Sequence, residues 1–255
     1  MKIVLIGSGN VATQFGLAFQ QSGHRIIQVY SRTTGNARRL ARKLKCEYTI
    51  DQNKISFETD LFFVAFSDSA TADFTGTFNP KEKLIVHTSG SLPLSVFNSK
   101  VKNCGVLYPM KSFTKAQKTD MQEVTFFVEG NSKIAEKKVL AIAKQFSENV
   151  HSVTSRQRFV IHLAAVFANN FPNHLLAISE LLLKSEQLSL RLFYPMIEQT
   201  FSKIRQFSPA ELQTGPAKRG DKKTIDAHLR YLTGFPEFKE IYKLLSSSIE
   251  KKYRK

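Results

Sequence analysis

The sequence has few cysteines and no long hydrophobic run, and both absences narrow the class of protein. Its 255 residues include two cysteines, Cys46 and Cys104, which lie far apart and form no CxxC pair. This spacing excludes a disulfide-stapled scaffold and a cysteine-based zinc site, and we predict no metal site. The longest apolar runs reach about six residues, whereas a membrane span needs about 20. Residues 1–9 hold too short an apolar stretch for a signal peptide. We therefore expect a soluble, cytoplasmic protein with no membrane partner.

Acidic residues are also scarce relative to basic ones. There are 37 Lys and Arg against 21 Asp and Glu, a formal net charge of +16. Such a charge invites a nucleic-acid interpretation. The excess, however, is divided equally between residues 1–150 and 151–255, and no nucleic-acid-binding motif accompanies it. We interpret it as a solvated basic surface that favours small anionic ligands, with no specific nucleic-acid partner.

Strand and helix signals alternate through residues 1–154, which predicts an α/β fold with a mostly parallel sheet. The apolar segment 61–66 is typical of a strand that is buried on both faces. Strand signals end after residue 154, and residues 155–255 are predicted to be all-helical. A helix from about 157 to about 188 is nearly apolar all round, so we expect it to be buried and kinked at Pro172. The prediction is a Rossmann-type domain over 1–154 followed by a helical domain for substrate binding and dimerisation over 155–255.

A glycine-rich turn joins the first predicted strand to the first helix. Gly7, Gly9 and Ala12 form the pattern GxGxxA. Gly7 permits a tight turn, Gly9 lets the backbone approach a pyrophosphate, and Ala12 lets the helix pack close to the strand. The pyrophosphate would lie at the positive end of the helix. The alternative is a glycine turn without a ligand. The predicted cofactor-binding residues of this turn are Gly7, Ser8, Gly9, Asn10, Val11 and Ala12.

The end of the second predicted strand lacks the acidic residue with which NAD enzymes hold the ribose hydroxyls. Ser31, Arg32 and Thr33 stand there instead, and their hydroxyls and guanidinium suit a 2′-phosphate. We therefore predict NADP(H) as the cofactor; the alternative for Arg32 is one more surface arginine. The loops that follow two later strands lie at the same sheet edge, and ordinary helix capping is an alternative role for their polar side chains. The cofactor-binding residues predicted in these loops are Phe66, Ser67, Asp68 and Ser89.

Polar side chains interrupt the long apolar helix. His162 and Asn169 share one face, and Asn170 lies beside it. Such groups are costly in an apolar helix unless they are paired, so one interpretation is a buried polar network. The other is a substrate pocket in which His162 exchanges a proton and Asn170 orients a carbonyl or hydroxyl. We predict His162 and Asn170 as catalytic. The predicted substrate-binding residues are Ser91, Tyr108, Asn169 and Arg219, the last of which could hold an anion with its guanidinium fork.

The chain resembles a family of bacterial proteins in which a Rossmann-like NADP oxidoreductase domain precedes a helical domain of unknown function, number 2520. The segments that carry the resemblance are GSGNVA at 7–12, SR at 31–32, VHTSGS at 86–91, YP at 108–109 with Phe113, HLAAVFANNF at 162–171, TGPA at 214–217 and RGD at 219–221. The layout is more distantly similar to pyrroline-5-carboxylate reductases, ketopantoate reductases and β-hydroxyacid dehydrogenases. Their helical domain resembles that of 6-phosphogluconate dehydrogenase and often dimerises.

This resemblance implies NADP binding, a substrate cleft between the domains and a homodimer. The distant enzymes often use a helix lysine with asparagines four and eight residues later, and His162, Val166 and Asn170 occupy those positions here. We therefore predict an oxidoreductase that reduces a C=O or C=N bond of a small anionic metabolite at that cleft. The alternative is a non-catalytic NADP-binding regulatory protein whose domain angle reports the cofactor state. The absent lysine favours the alternative, and the polar side chains of the helix count against it.

Overall fold

The computed structural model describes residues 1–114 and 119–253, and this part of the chain begins with an eight-stranded sheet. The strands are β1 (Lys2–Ile6), β2 (Arg25–Tyr30), β3 (Glu47–Thr49), β4 (Leu61–Val64), β5 (Leu84–His87), β6 (Cys104–Pro109), β7 (Phe126–Gly130) and β8 (Val150–Ser152). Their order across the sheet is β3-β2-β1-β4-β5-β6-β7-β8. The pair β6 and β7 is antiparallel, and every other neighbouring pair is parallel. The predicted mostly parallel α/β sheet is confirmed.

Helices connect the strands and then continue alone. They are α1 (Asn10–Gln21), α2 (Thr34–Leu44), α3 (Asp68–Thr77), α4 (Lys133–Ala143), α5 (Ser155–Ala165), α6 (Phe171–Ser185), α7 (Tyr194–Lys203), α8 (Pro209–Leu212), α9 (Pro216–Arg219), α10 (Lys222–Tyr231) and α11 (Pro236–Tyr253). None of the helices in the described part of the chain has both the length and the hydropathy needed to cross a lipid bilayer.

The order of the central strands determines where a ligand is expected. The chain moves outward from β1 through β2 to β3, and then returns to the other side of β1 to form β4. Open parallel sheets bind ligands beyond the carboxyl ends of the strands where the order reverses in this way. The carboxyl ends of β1, β4, β5 and β6 lie at one edge, because these strands are mutually parallel. The loops at this edge therefore form the candidate site.

Phenylalanine fills the core on both faces of the sheet. Successive side chains of a strand point to opposite faces, so Phe62 and Phe63 of β4 enter different layers, and both are fully buried. The ring of Phe63 packs on Phe15 of α1, with centroids 4.7 Å apart. On the other face Phe62 packs on Phe78, with centroids 5.0 Å apart. These two layers fix α1, which follows the glycine turn, and β4, whose end lies beside Gly7.

By its contacts the chain divides into two compact units, Met1–Asn169 and Asn170–Lys255. The first unit contains the whole sheet and also α5, which begins one residue after the predicted domain boundary at 154. The last strand ends at Ser152, as the loss of strand signals predicts. The division of roles between residues 1–154 and 155–255 stays a prediction.

Of the long buried helix predicted near residues 157–188, the helical conformation is confirmed over 155–185 and the burial is wrong. The segment is divided into α5, a π-helical turn over Val166–Asn170, and α6. Pro172 lies in the first turn of α6, where its missing N–H is tolerated, and the π-helical turn directly precedes it. The kink at Pro172 stays a prediction. The segment itself is not buried. Arg158 is the one buried residue of α5, and Ile178 is the one buried residue of α6.

The helical region contains shorter and less regular elements as well. A 3-10 turn, Leu190–Phe193, leads directly into α7, and the short helix α9 precedes α10. Asp221 caps α10, because its side chain accepts hydrogen bonds from the hydroxyl and the N–H of Thr224. These two hydrogen bonds hold the pKa of Asp221 below its usual value.

Candidate functional site

The glycine turn after β1 has the geometry that its sequence predicts. Gly7 has a φ of +119°, and a Cβ built there would lie 2.4 Å from the Ala65 carbonyl oxygen. Only glycine fits this conformation and this approach to β4. A Cβ at Gly9 would meet nothing within 4 Å, so the backbone is open on that side. Ala12 is fully buried in the core, which lets α1 pack closely on the sheet.

The N-terminus of α1 is available to an anion. Gly9 is its N-cap residue, and no side chain in the described part of the chain caps this helix. The first N–H groups of a helix lack intrahelical partners and form the positive end of its dipole. A pyrophosphate oxygen is the ligand that such an end prefers. The open backbone at Gly9 and the uncapped helix start therefore fit a dinucleotide.

The predicted ribose end of the site lies beside this turn. The hydroxyls of Ser8 and Ser31 are 2.7 Å apart, so the structure joins the first and second strand ends directly. The guanidinium of Arg32 lies over the Phe66 ring, 5.7 Å from its centroid. Thr33 is the N-cap residue of α2, and no described side chain caps that helix. Hydroxyls, a guanidinium and a second open helix start thus lie together at the end of β2.

A cavity of about 160 Å³ adjoins these residues. It is lined by Tyr30, Arg32, Gln52, Phe66, Ala70, Asp73 and Phe74. Asp73 is a carboxylate that the sequence interpretation of this end overlooked, because it comes from α3 and not from the second strand. Larger cavities lie elsewhere, among them two of about 630 and 480 Å³. The first adjoins the start of β2 and the second the end of α1, at the edge where parallel sheets do not bind their ligands.

The loops after β4 and β5 are joined by hydroxyl contacts. The Ser91 hydroxyl donates to a carboxylate oxygen of Asp68, and it lies 3.3 Å from the Ser89 hydroxyl. Ser67 occupies the N-cap position of α3, but its side chain makes no capping hydrogen bond. Capping therefore does not explain the polar side chains of Ser67 and Asp68. Their predicted contact with a cofactor stays a prediction.

Asn10 holds a loop as well as standing at the helix start. Its side-chain amide donates to the Phe113 carbonyl oxygen at 2.8 Å, and Gln14 donates to the Thr114 carbonyl at 2.6 Å. The segment after β6 is therefore fastened to α1. Neighbouring residues 115–118 lie outside the described part of the chain. The main chain of Asn10 remains at the predicted phosphate position, while its amide group serves this loop.

Tyr108 and His162 form the chemical pair of the site. Tyr108 is the penultimate residue of β6, and its hydroxyl lies 3.1 Å from Nδ1 of His162 on α5, with the two rings nearly perpendicular. Tyr108 is 9% exposed, and this burial raises the pKa of its phenol. In a neutral imidazole with its proton on Nε2, Nδ1 accepts from the phenol; in an imidazole that is protonated on Nδ1, that N–H donates to the phenol oxygen.

Gly90 packs directly against this pair. A Cβ at this position would lie 2.8 Å from Cζ of Tyr108 and 2.9 Å from Cγ of His162. The loop after β5 thus reaches the same place as β6 and α5. The structure brings together Tyr108, predicted as a substrate-binding residue, and His162, predicted as catalytic. The neighbours of Gly90, Ser89 and Ser91, belong to the same loop.

The remaining predicted residues lie further along the chain. Asn169 and Asn170 are exposed and belong to the π-helical turn. Arg219 is exposed at the end of α9, in the second unit. Their predicted roles toward a substrate stay predictions. Among the described residues, no group of three or more His, Cys, Asp and Glu side chains could hold a metal ion.

Sequence reasoning missed two charged residues behind the site. Arg158 of α5 is fully buried, and its guanidinium pairs with the carboxylate of Glu129 on β7. It also donates to the Leu92 carbonyl oxygen in the loop after β5. The sequence does not single out Arg158, because Arg156 and Gln157 stand beside it in the same turn. Its burial and the identity of its partner depend on the fold.

Comparison with known families matches two parts of the chain. Residues 2–90 match the family described as NADP oxidoreductase coenzyme F420-dependent, and residues 124–249 match the domain of unknown function DUF2520. A Bacteroides fragilis protein assigned as an NADP oxidoreductase is 42% identical, with a TM-score of 0.90 over 98% of both chains. No curated protein matches the chain.

Two further solved structures share the fold. A protein from Thermotoga maritima is 24% identical, with a TM-score of 0.74 over 97% of this chain and 99% of that chain. A reductive aminase from Aspergillus terreus, solved with NADPH and ethyl-5-oxohexanoate, is 13% identical, with a TM-score of 0.67 over 98% of this chain and 92% of that chain. At these identities the likeness concerns the fold alone.

Proposed function

Since the chain belongs to the family of NADP oxidoreductases that carry a DUF2520 domain, we propose that it reduces a C=O or C=N bond of a small anionic metabolite with NADPH. The observation that carries this proposal is the pair of Tyr108 and His162, which lies at the same sheet edge as the glycine turn. A hydride acceptor at this edge also needs a proton, and an imidazole is the side chain best suited to supply it near neutral pH.

The residues at the strand ends would hold NADP(H). The backbone of Gly9 and the start of α1 would take the pyrophosphate. Ser31, Arg32 and Thr33 would take the 2′-phosphate, because they offer hydroxyl and guanidinium donors and no carboxylate ends β2. Asp73, which lines the adjoining cavity, would accept from a hydroxyl or an amino group and not from a phosphate.

The chain itself supplies the proton chemistry. When bound, the nicotinamide supplies two electrons as a hydride. The imidazolium form of His162 gives the balancing proton from Nε2 to the oxygen or nitrogen of the substrate, and it is left as a neutral imidazole whose Nδ1–H donates to the Tyr108 hydroxyl. Asn170 orients the substrate or a water molecule, as its polar side chain on the π-helical turn allows. The exposed Arg219 and the net charge of +16 favour an anionic substrate.

We also propose a homodimer, because the second unit has almost no core of its own. In the described residues of this unit the buried apolar side chains are Ile178, Ala217 and Leu232. Its exposed large apolar side chains include Leu181, Leu188, Leu192, Tyr194, Met196, Phe201, Ile204, Phe207, Tyr231, Leu244 and Leu245. Soluble monomers rarely expose so much apolar surface, and a second copy carries a matching surface.

The cofactor is tested by measuring the Kd of NADPH and NADH for the wild type, Arg32→Ala and Arg25→Ala. Arg25 is the matched control, because it is an exposed arginine at the opposite end of the same strand. Loss of a hydrogen bond to a charged group costs about 1.5–3 kcal/mol, so Arg32→Ala should weaken NADPH roughly ten- to hundredfold. NADH binding, and both ligands in Arg25→Ala, should change little. If neither dinucleotide binds the wild type, the proposal fails.

Turnover is tested by following NADPH oxidation with keto acids and cyclic imino acids. His162→Ala should lower the rate roughly hundred- to ten-thousandfold if its proton is used. His151→Ala, an exposed histidine on β8, is the control. Equal rates in the two variants would remove the proposed role of His162. Tight NADPH binding with no oxidation by any of these compounds would instead favour a cofactor-binding regulatory protein.

A further inference from the structure

Arg158 is buried where the surrounding helix is not. Its exposed fraction is zero, whereas the other residues of α5 are partly or fully exposed. A buried guanidinium keeps its charge and must find acceptors in the protein. The position of Arg158 is therefore determined by specific partners and not by general packing.

Those partners tie three elements together. The Glu129 carboxylate on β7 accepts from Arg158, from the Ser155 N–H at 2.8 Å and from the Ser155 hydroxyl at 2.9 Å. Arg158 donates with its other terminal nitrogen to the Leu92 carbonyl oxygen. Ser155 in turn accepts from the Leu94 N–H at 3.1 Å. The first turn of α5 is thereby fixed both to β7 and to the loop after β5.

The start of the same loop is held by His87, the last residue of β5. His87 is fully buried, and its Nδ1 accepts from the Ser89 N–H at 3.2 Å. Burial, and then the nearby charge of Arg158, lower the pKa of His87 to about 3. The imidazole is therefore neutral at physiological pH. Arg158 is thus the cation at this place, and Glu129 is its counter-charge.

We propose that Arg158 and Glu129 form a positioning pair for the active site, an inference that rests on the function proposed above. His162 follows Arg158 by four residues on α5, so it lies one turn further along the same face. Gly90, which packs on His162 and Tyr108, stands two residues before Leu92. The pair therefore fixes both sides of the contact between the loop and the imidazole. It acts through His162 and does not touch the substrate.

Stability alone gives little reason for this pair. Replacing a buried ion pair with apolar side chains of similar volume is often neutral or stabilising, whereas removing one partner leaves an uncompensated charge. An apolar pair would hold α5 against the sheet equally well. It could not hold the Leu92 carbonyl or define the rotation of α5, because apolar contacts are not directional. This difference separates a positioning role from a structural one.

The test is the double variant Glu129→Met with Arg158→Met, compared with each single variant. We expect the double variant to melt close to the wild type and to bind NADPH with an unchanged Kd. Its kcat should fall roughly ten- to hundredfold, the range that a displaced catalytic group produces. The control is Glu82→Met with Lys102→Met, which removes an exposed ion pair and should leave kcat unchanged. A double variant with wild-type kcat overturns the proposal.

A second measurement does not depend on turnover. The ¹⁵N resonances of His162, assigned with His162→Gln, report whether Nδ1 accepts the Tyr108 hydrogen bond. They should change in the double variant and stay unchanged in the control; wild-type resonances in the double variant also overturn the proposal. If the wild type oxidises no NADPH, the proposed function fails while this measurement still tests the pair.

A third variant covers a double variant that does not fold. Arg158→Lys keeps the charge but loses the guanidinium fork. Compared with Arg158→Met, the lysine variant should restore the melting temperature more fully than it restores kcat and the His162 resonances. Full recovery of all three would mean that charge alone is sufficient, and it would overturn the positioning role.

Discussion

At Gly90 the space for a side chain is already filled by the rings of Tyr108 and His162. A Cβ there would overlap Tyr108 and His162, at 2.8 and 2.9 Å. Gly90→Ala should therefore push the pair apart and destabilise the fold by about 1–3 kcal/mol, the usual cost of overpacking. Turnover should fall with it, while NADPH binding is retained. Chemical unfolding and NADPH oxidation measure the two effects.

Gly76 provides the control for this substitution. It lies in α3, and a Cβ built there meets nothing within 4 Å. Gly76→Ala should raise stability by up to about 1 kcal/mol, because alanine is the better helix former. If Gly90→Ala were as stable and as active as Gly76→Ala, the side chains around His162 would have to accommodate an extra methyl group without loss of stability or turnover.

Single residues differ in how far the sequence could predict them. The conformation of Gly7 depends on a turn of a few residues, so a local pattern was sufficient to predict it. The contact of Tyr108 with His162 spans 54 positions, and that of Arg158 with Glu129 spans 29. Such pairs form only once the sheet and α5 have packed, so their residues were either predicted without their partners or missed.

At the scale of the element, the last residue of β5 is a buried histidine, His87, whose titration should make the stability of the fold depend on pH. His87 ends this strand and has a pKa of about 3 in the folded protein, against about 6.5 for an unperturbed histidine. Between these values the unfolded chain binds the additional proton, so stability falls as the pH falls. The loss reaches about 1.4 kcal/mol per pH unit below the unfolded value, or roughly 2 kcal/mol at pH 5.

The variant His87→Gln removes this titration and keeps an acceptor for the Ser89 N–H. Urea unfolding at pH 7.5 and pH 5 should show a smaller loss of stability in His87→Gln than in the wild type, by about 2 kcal/mol. His151→Gln, which changes an exposed histidine, should retain the wild-type dependence. If His87→Gln lost as much stability as the wild type between pH 7.5 and pH 5, the pH dependence could not be assigned to His87.

The helices show which property of an element a sequence pattern can predict. The apolar residues from 157 to 188 predicted helix correctly, because helical periodicity is local. They predicted burial wrongly, since Phe159, Leu163 and Leu181 are each about half exposed. An apolar pattern predicts that a face is covered, but it does not say whether the same chain or another chain covers it. The π-helical turn before Pro172 was equally beyond a pattern that only marks a break.

For the whole molecule, the change from strands to helices near residue 154 was visible in the sequence, but the extent of the compact units was not. The first unit extends to Asn169 because α5 is fastened to the sheet by Arg158 and Ser155. Those contacts are polar and tertiary, so no composition shift marks them. The second unit, Asn170–Lys255, has few buried side chains.

The small number of buried side chains in the second unit leads to a prediction about assembly. The chain has a mass of 28.9 kDa, and sedimentation should give twice this mass if a second copy covers the second unit. Leu192→Glu, a charge at a side chain that is 64% exposed, should shift the protein toward the monomer. Ile134→Glu is the control, because Ile134 is 66% exposed but lies on α4 of the first unit. A wild type that sediments as a monomer at micromolar concentration would contradict the dimer. If Ile134→Glu dissociated the dimer as strongly as Leu192→Glu, the interface could not be assigned to the second unit, because Ile134 lies in the first unit.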